Sequence, residues 1–130
     1  MNQNKEYQLY RQVAAYLRLQ YPNVWYHFDY AGNNLSKAQA GMMKAIQHSK
    51  GFPDLMILHP YGKVMFLELK AEGTKLFKRD LSPVSEHIAD QFAWLEELEL
   101  CDSTRAYFAI GFEDAKDKID NFLRTPNNEF

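Results

Sequence analysis

The sequence has a single cysteine, Cys101, in 130 residues. One thiol can form neither an intramolecular disulfide nor a cysteine cluster for zinc, so no such staple holds the fold. Glycine is sparse, at 6 residues, and nowhere forms a phosphate-cradling loop, which leaves nucleotide hydrolysis without support. No run approaches the roughly 20 consecutive apolar residues of a membrane helix, and Met1 to Tyr10 is polar with no apolar signal core. A soluble, unsecreted protein of a reducing cytoplasm is expected, with no membrane partner.

What is present is a core. With 46% hydrophobic, 15% aromatic and 25% charged residues the chain is not disordered. At this length one domain buries roughly two thirds of its unfolded surface. The net charge of −2 hides an asymmetry: residues 1–80 carry 11 basic and 6 acidic side chains, whereas residues 81–130 carry 4 and 11. Phosphate contacts depend on where cations lie, so a nucleic-acid partner for the first two thirds is not excluded.

Leu9, Val13 and Leu17 recur at helical spacing until Pro22 ends the pattern, predicting a helix over about residues 4–20. Val24 to Phe28 reads as a strand entering a turn at Ala31-Gly32-Asn33-Asn34. Ser36 is a candidate N-cap for a helix through about Gln47. Pro53–Leu58 and Val64–Leu69 flank Pro60-Tyr61-Gly62 and read as the arms of a β-hairpin, apolar on both faces and hence covered on both. Residues 71–84 lack periodicity and read as a long loop. Ser85–Leu98 predicts an amphipathic helix, Arg105–Ile110 a strand and Phe112–Leu123 a final helix. One domain over residues 1–124 and a polar tail over 125–130 are expected, with no internal repeat.

Two acids do not belong in this pattern. Glu68 sits within Val64-Met65-Phe66-Leu67-Glu68-Leu69-Lys70, and Asp54 heads the opposite arm before Leu55-Met56-Ile57-Leu58. A lone buried carboxylate is costly. Reflecting the hairpin about Tyr61 sets Asp54 opposite Glu68, provided the loop holds an odd number of residues or a bulge. Facing side chains lie about 5 Å apart, so two ionised carboxylates there repel unless a cation intervenes. A hard divalent metal with open positions for phosphate oxygens resolves that repulsion. Lys70, two residues past Glu68, shares its face and could orient a water or stabilise developing phosphate charge. The competing account makes Asp54 a strand-edge cap and Glu68–Lys70 a surface ion pair.

Gly51-Phe52-Pro53-Asp54-Leu55, then Phe66-Leu67-Glu68-Leu69-Lys70, then Gln91 resembles the PD-(D/E)XK nuclease superfamily, and within it the small stand-alone VRR-NUC domains often found in phage genomes. The resemblance spans nearly the whole chain. It implies an α/β restriction-endonuclease-like core, a central mixed β-sheet flanked by helices in the order α-β-α-β-β-α-β-α. It also implies an Mg2+- or Mn2+-dependent endonuclease acting on DNA, with branched or structured DNA as the expected substrate. Carried over by residue, Asp54, Glu68 and the Leu69 carbonyl are metal ligands, Lys70 is the catalytic lysine and Gln91 supports the site. The family also uses a carboxylate on the first helix. Glu6 keeps to the inward face set by Leu9, Val13 and Leu17, and Gln8 is its rival. A bacterial or phage-infected cell is the implied setting, with a homodimer or a helicase or other replication and recombination protein as implied partners.

Lys44, Lys50, Lys75, Lys78 and Arg79 flank the proposed site in sequence and are candidate DNA contacts. No two of the four histidines have ligand spacing on one element, although His87 could approach the site from the start of the helix carrying Gln91. The tyrosines and tryptophans read as core rather than base-stacking platforms. Two other function classes compete: a non-cleaving nucleic-acid-binding module of the same fold, favoured if Gln8 replaces the helix acid, and a partner-binding protein using the acidic face of residues 86–120.

Overall fold

The computed structural model describes residues 2–29 and 35–124. The loop read at 31–34 and the tail at 125–130 lie outside them. Eight elements follow in order: α1 (Asn2–Gln20), β1 (Tyr26–Phe28), α2 (Lys37–Ile46), β2 (Leu55–Leu58), β3 (Val64–Lys70), α3 (Glu86–Glu99), β4 (Thr104–Ile110) and α4 (Gly111–Arg124). This is the order that hydrophobic periodicity predicts, with ends shifted by one or two residues.

The strands form one sheet in the order β1-β2-β3-β4. β1 to β3 are antiparallel neighbours, and β4 joins β3 in parallel after the α3 crossover. The hairpin register pairs Leu55 with Leu67 and Leu58 with Val64, leaving the odd-numbered loop His59–Lys63 between the arms. That centres the hairpin on Tyr61, the residue about which the sequence reflects.

The period of two in β2 and β3 divides the core. Leu55, Ile57, Met65, Leu67 and Leu69 face one way and pack with Leu9, Val13 and Leu17 of α1 and with α4. Met56, Val64 and Phe66 face the other way and meet Leu95 of α3. β3 is buried on both faces, so the hairpin is covered by helices on both sides.

Helix starts follow their caps. Ser36 and Gln39 form a capping box on α2, and the Ser85 hydroxyl accepts from the Ile88 N–H at 3.2 Å. α2 nevertheless buries no residue and packs on no other element among the described residues. The segment 71–84 is the expected long loop, and it is anchored to the core. Phe77 and Pro83 form an isolated bridge, Leu76 is buried, and Phe77 lies edge-on to Phe92 at 5.2 Å. An apolar residue isolated between charged neighbours carries no periodic signal, so sequence pattern could not show this anchor. No described helix is long and apolar enough to cross a membrane.

Candidate active site

Asp54 stands just ahead of β2, and the hairpin register extended by one residue sets it opposite Glu68. The two carboxyl groups hydrogen-bond each other. Glu68 is only 2% exposed, and its Oε1 has no hydrogen-bond partner among the described residues. Burial pushes the Glu68 carboxyl far above the usual carboxylate range, and the Asp54 contact pushes it further, while Lys70 pulls the other way. Lys70 Nζ lies 4.0 Å from Glu68 Oε2, both side chains being buried. An exposed surface ion pair is therefore ruled out by burial.

Asp54 is fixed from several directions. Its Oδ2 accepts from the Leu69 N–H at 3.0 Å, and its backbone carbonyl accepts from the Asp29 N–H at 2.7 Å. The Tyr10 hydroxyl donates to its carboxyl group. Just upstream, Gly51 adopts φ +98°, and a Cβ placed there would come within 2.7 Å of the Asp90 carbonyl carbon and 2.8 Å of the Gln91 nitrogen. Only glycine allows this approach of the Asp54 loop to α3.

The Leu69 main chain faces β2, as its hydrogen bond to Asp54 shows. In an extended strand a residue's N–H and C=O point the same way, and the register, if continued two residues past the Leu55–Leu67 pair, brings Pro53 opposite Leu69. On that register proline has no N–H to offer the Leu69 carbonyl.

The first turns of α1 and α3 meet this end of the hairpin from the two helix layers. Glu6 is half-buried and Gln8 exposed. Burial raises the Glu6 carboxyl above its ordinary range, with Lys70 lowering it, Asp54 raising it and His87 lowering it, which places Glu6 within electrostatic reach of all three. Of the two candidates on the first helix, Glu6 is thus the half-buried one near Lys70 and Asp54, and Gln8 is the exposed one. On α3, Gln91 is 5% exposed; its Nε2 lies 3.1 Å from His87 Nε2, and its Oε1 is buried without a partner.

Tyr10 escaped the sequence reading, which gave it a core role. Its position one turn beyond Glu6 was the available signal, since residues i and i+4 share a helix face. Its ring packs on Phe28 with centroids 5.5 Å apart, and burial first, then the three acids, push its hydroxyl well above the ordinary tyrosine range. Lys44, Lys50, Lys75, Lys78 and Arg79 lie outside the buried cluster, Lys44 on the unpacked α2 and the last three in the anchored 71–84 segment.

A divalent cation fits this donor set. The acid pair, the unpartnered Glu68 Oε1 and the Leu69 carbonyl are all hard oxygen donors. Among the described residues no group of three or more His, Cys, Asp or Glu side chains is arranged to hold a metal. Asp54, Glu68 and the Leu69 carbonyl would supply two acids and a main-chain oxygen to such a cation.

No family model matches the sequence, and no curated protein matches it. Among solved structures the chain is similar to one described as a VRR_NUC domain protein, at a TM-score of 0.62 and 17% identity, over 92% of this chain and 88% of that one. At that identity the likeness is one of fold: this chain shares with that structure an α/β fold with a mixed four-stranded sheet flanked by helices, consistent with a restriction-endonuclease-like core.

Proposed function

We propose that the protein is an Mg2+- or Mn2+-dependent DNA nuclease with Asp54, Glu68 and the Leu69 carbonyl as metal ligands and Lys70 as its catalytic lysine. The observation that carries this reading is the Asp54–Glu68 pair, a half-buried acid in contact with a buried one, with an oxygen unpartnered among the described residues and an ammonium 4.0 Å away. Strongly shifted acids are characteristic of functional sites. A buried acid pair without a cation costs stability, so packing alone gives no reason for it.

When bound, the metal would polarise a scissile phosphate and lower the pKa of a coordinated water. Asp54 is oriented for its role by Tyr10, Leu69 and Asp29. Lys70 holds positive charge beside the acids, where it can position the attacking water and stabilise charge developing on phosphate. Glu6 adds a third acid at the margin of the site, and Gln91 supports it from α3. The cations Lys44, Lys50, Lys75, Lys78 and Arg79 would track the DNA backbone. The nuclease is favoured over a non-cleaving module by the half-buried Glu6, which lies within electrostatic reach of Lys70 and Asp54.

Incubation with branched and linear DNA, with Mg2+, Mn2+ or chelator, tests the reading. Cleavage is expected only with metal; binding without cleavage under every condition would leave the non-cleaving module.

A further inference from the structure

Besides Glu68 Oε1, two buried side-chain polar atoms lack a partner among the described residues, Trp94 Nε1 and Gln91 Oε1, and the second belongs to a residue the nuclease proposal places at the site. Gln91 offers an amide whose nitrogen and oxygen have different fates: Nε2 meets His87 Nε2 at 3.1 Å, and Oε1 is buried with no partner. An amide nitrogen can only donate, so with the amide in this orientation the imidazole Nε2 is the acceptor. Buried amides rarely leave an oxygen unmatched, and an oxygen so left is an acceptor awaiting a donor from outside the protein.

His87 is exposed on the first turn of α3, while Gln91 one turn later is buried. Two further contacts tie this pair to the acids. His87 lies within electrostatic reach of Glu6, and the backbone of Gln91 is where Gly51 presses the Asp54 loop against α3. Alternation along β3 turns Glu68 and Lys70 to the same side as Phe66, the side covered by α3. His87 and Gln91 therefore border the acid cluster, one at its surface and the other inside.

We propose that His87 is a positioning residue of this site: by accepting from Gln91 Nε2 it fixes the amide in one orientation, so that Gln91 Oε1 is presented as an acceptor for a substrate or site water. The inference rests on the nuclease reading and adds a residue to it. Without His87 the amide can rotate by half a turn and present donors in place of the acceptor. His87 then acts through Gln91 rather than on DNA, which distinguishes it from an ordinary phosphate contact.

The test uses His87→Ala, Gln91→Ala, the double variant and His87→Gln, whose side-chain oxygen can accept in place of Nε2. Single-turnover cleavage with Mg2+ and duplex affinity with Ca2+ are measured on each. Side-chain amide NMR signals of Gln91 are recorded on the metal-free protein. His87→Ala is expected to shift the Gln91 amide signals and slow the chemical step about 10-fold, by analogy with removing a group that orients a site residue. Duplex affinity stays unchanged, the loss disappears in the Gln91→Ala background, and His87→Gln restores the rate. Equal losses in both backgrounds, or a loss confined to affinity, would make His87 a DNA contact and overturn the proposal. Should the wild type not cleave at all, the nuclease reading fails while the amide signals still decide whether His87 holds Gln91: unmoved signals in His87→Ala overturn that too.

Discussion

Two acid clusters face α1, and they are built on opposite principles. Toward the end of the helix, Asp120 of α4 accepts from the Tyr16 hydroxyl at 2.6 Å and the Tyr21 hydroxyl at 2.7 Å, with Lys116 at 3.3 Å and Arg124 at 3.9 Å. Burial alone would raise the Asp120 carboxyl, but the two tyrosines and Lys116 outweigh it and hold it below the usual range. Toward the start of the helix, Glu68 meets another acid, keeps an unpartnered oxygen, and is pushed upward. Both clusters receive a tyrosine from α1. The satisfied cluster fastens α1 to α4, and the unsatisfied one carries the desolvation cost of a buried acid with an unmatched oxygen.

The largest expected effect is on chemistry. Asp54→Asn or Glu68→Gln should lower metal-dependent cleavage by roughly 10³-fold or more, since removing a ligand takes away several kcal/mol of charge stabilisation. Lys70→Ala should slow single-turnover cleavage by roughly 10²-fold while DNA binding changes little. Weakened binding with an unchanged rate would make Lys70 a phosphate contact instead.

At the other cluster the loss should be in stability alone. Asp120→Ala is expected to cost about 2–3 kcal/mol in denaturant unfolding, as hydrogen bonds to a charged acceptor vanish, with the metal response intact. The two acids also predict opposite pH slopes. Asp120 is held below its unfolded value, so its contribution is present above about pH 4 and fades as pH falls through the folded value. Glu68 is held above its unfolded value, so the metal-free protein loses stability as pH rises from about 4.5 toward neutrality. Unfolding free energies across pH 3–8 should show the acid-side slope flattened in Asp120→Asn and the neutral-side slope flattened in Glu68→Gln.

The smallest effect concerns the surface. Replacing Lys75, Lys78 and Arg79 by Gln should shallow the dependence of log duplex affinity on log salt by up to about 0.9 for each cation that had been neutralising a phosphate. Metal affinity should not move. An unchanged slope would send the DNA path elsewhere, past Lys44 and Lys50.

Legibility in the sequence tracked locality. The hairpin register was readable because turn length and alternation constrain each other, and Asp54, Glu68 and Lys70 followed from it. α1 was readable from Leu9, Val13 and Leu17, but that stripe alone could not separate Glu6 from Gln8, because closeness to Lys70 and Asp54 depends on how the helix packs. Tyr10 was missed because its partner Asp54 is far off in sequence, and a tyrosine on a buried helix face looks like packing whether or not its hydroxyl is engaged. Leu76 and Phe77 were missed for the related reason that a loop anchored by single side chains has no period to read. The Gly51 approach to α3 was likewise invisible, since glycine before Pro53 signals a turn but not what the turn touches.

The claim that the Asp54–Glu68 pair is relieved by a divalent cation is tested most directly by thermal unfolding of wild type and Glu68→Gln at neutral pH, in chelator and in millimolar Mn2+. Wild type should gain stability with Mn2+ as mass action favours the bound native state. Glu68→Gln should match or exceed wild type in chelator and gain little from the metal. A wild type indifferent to Mn2+, or a Glu68→Gln variant that responds just as strongly, would contradict the account.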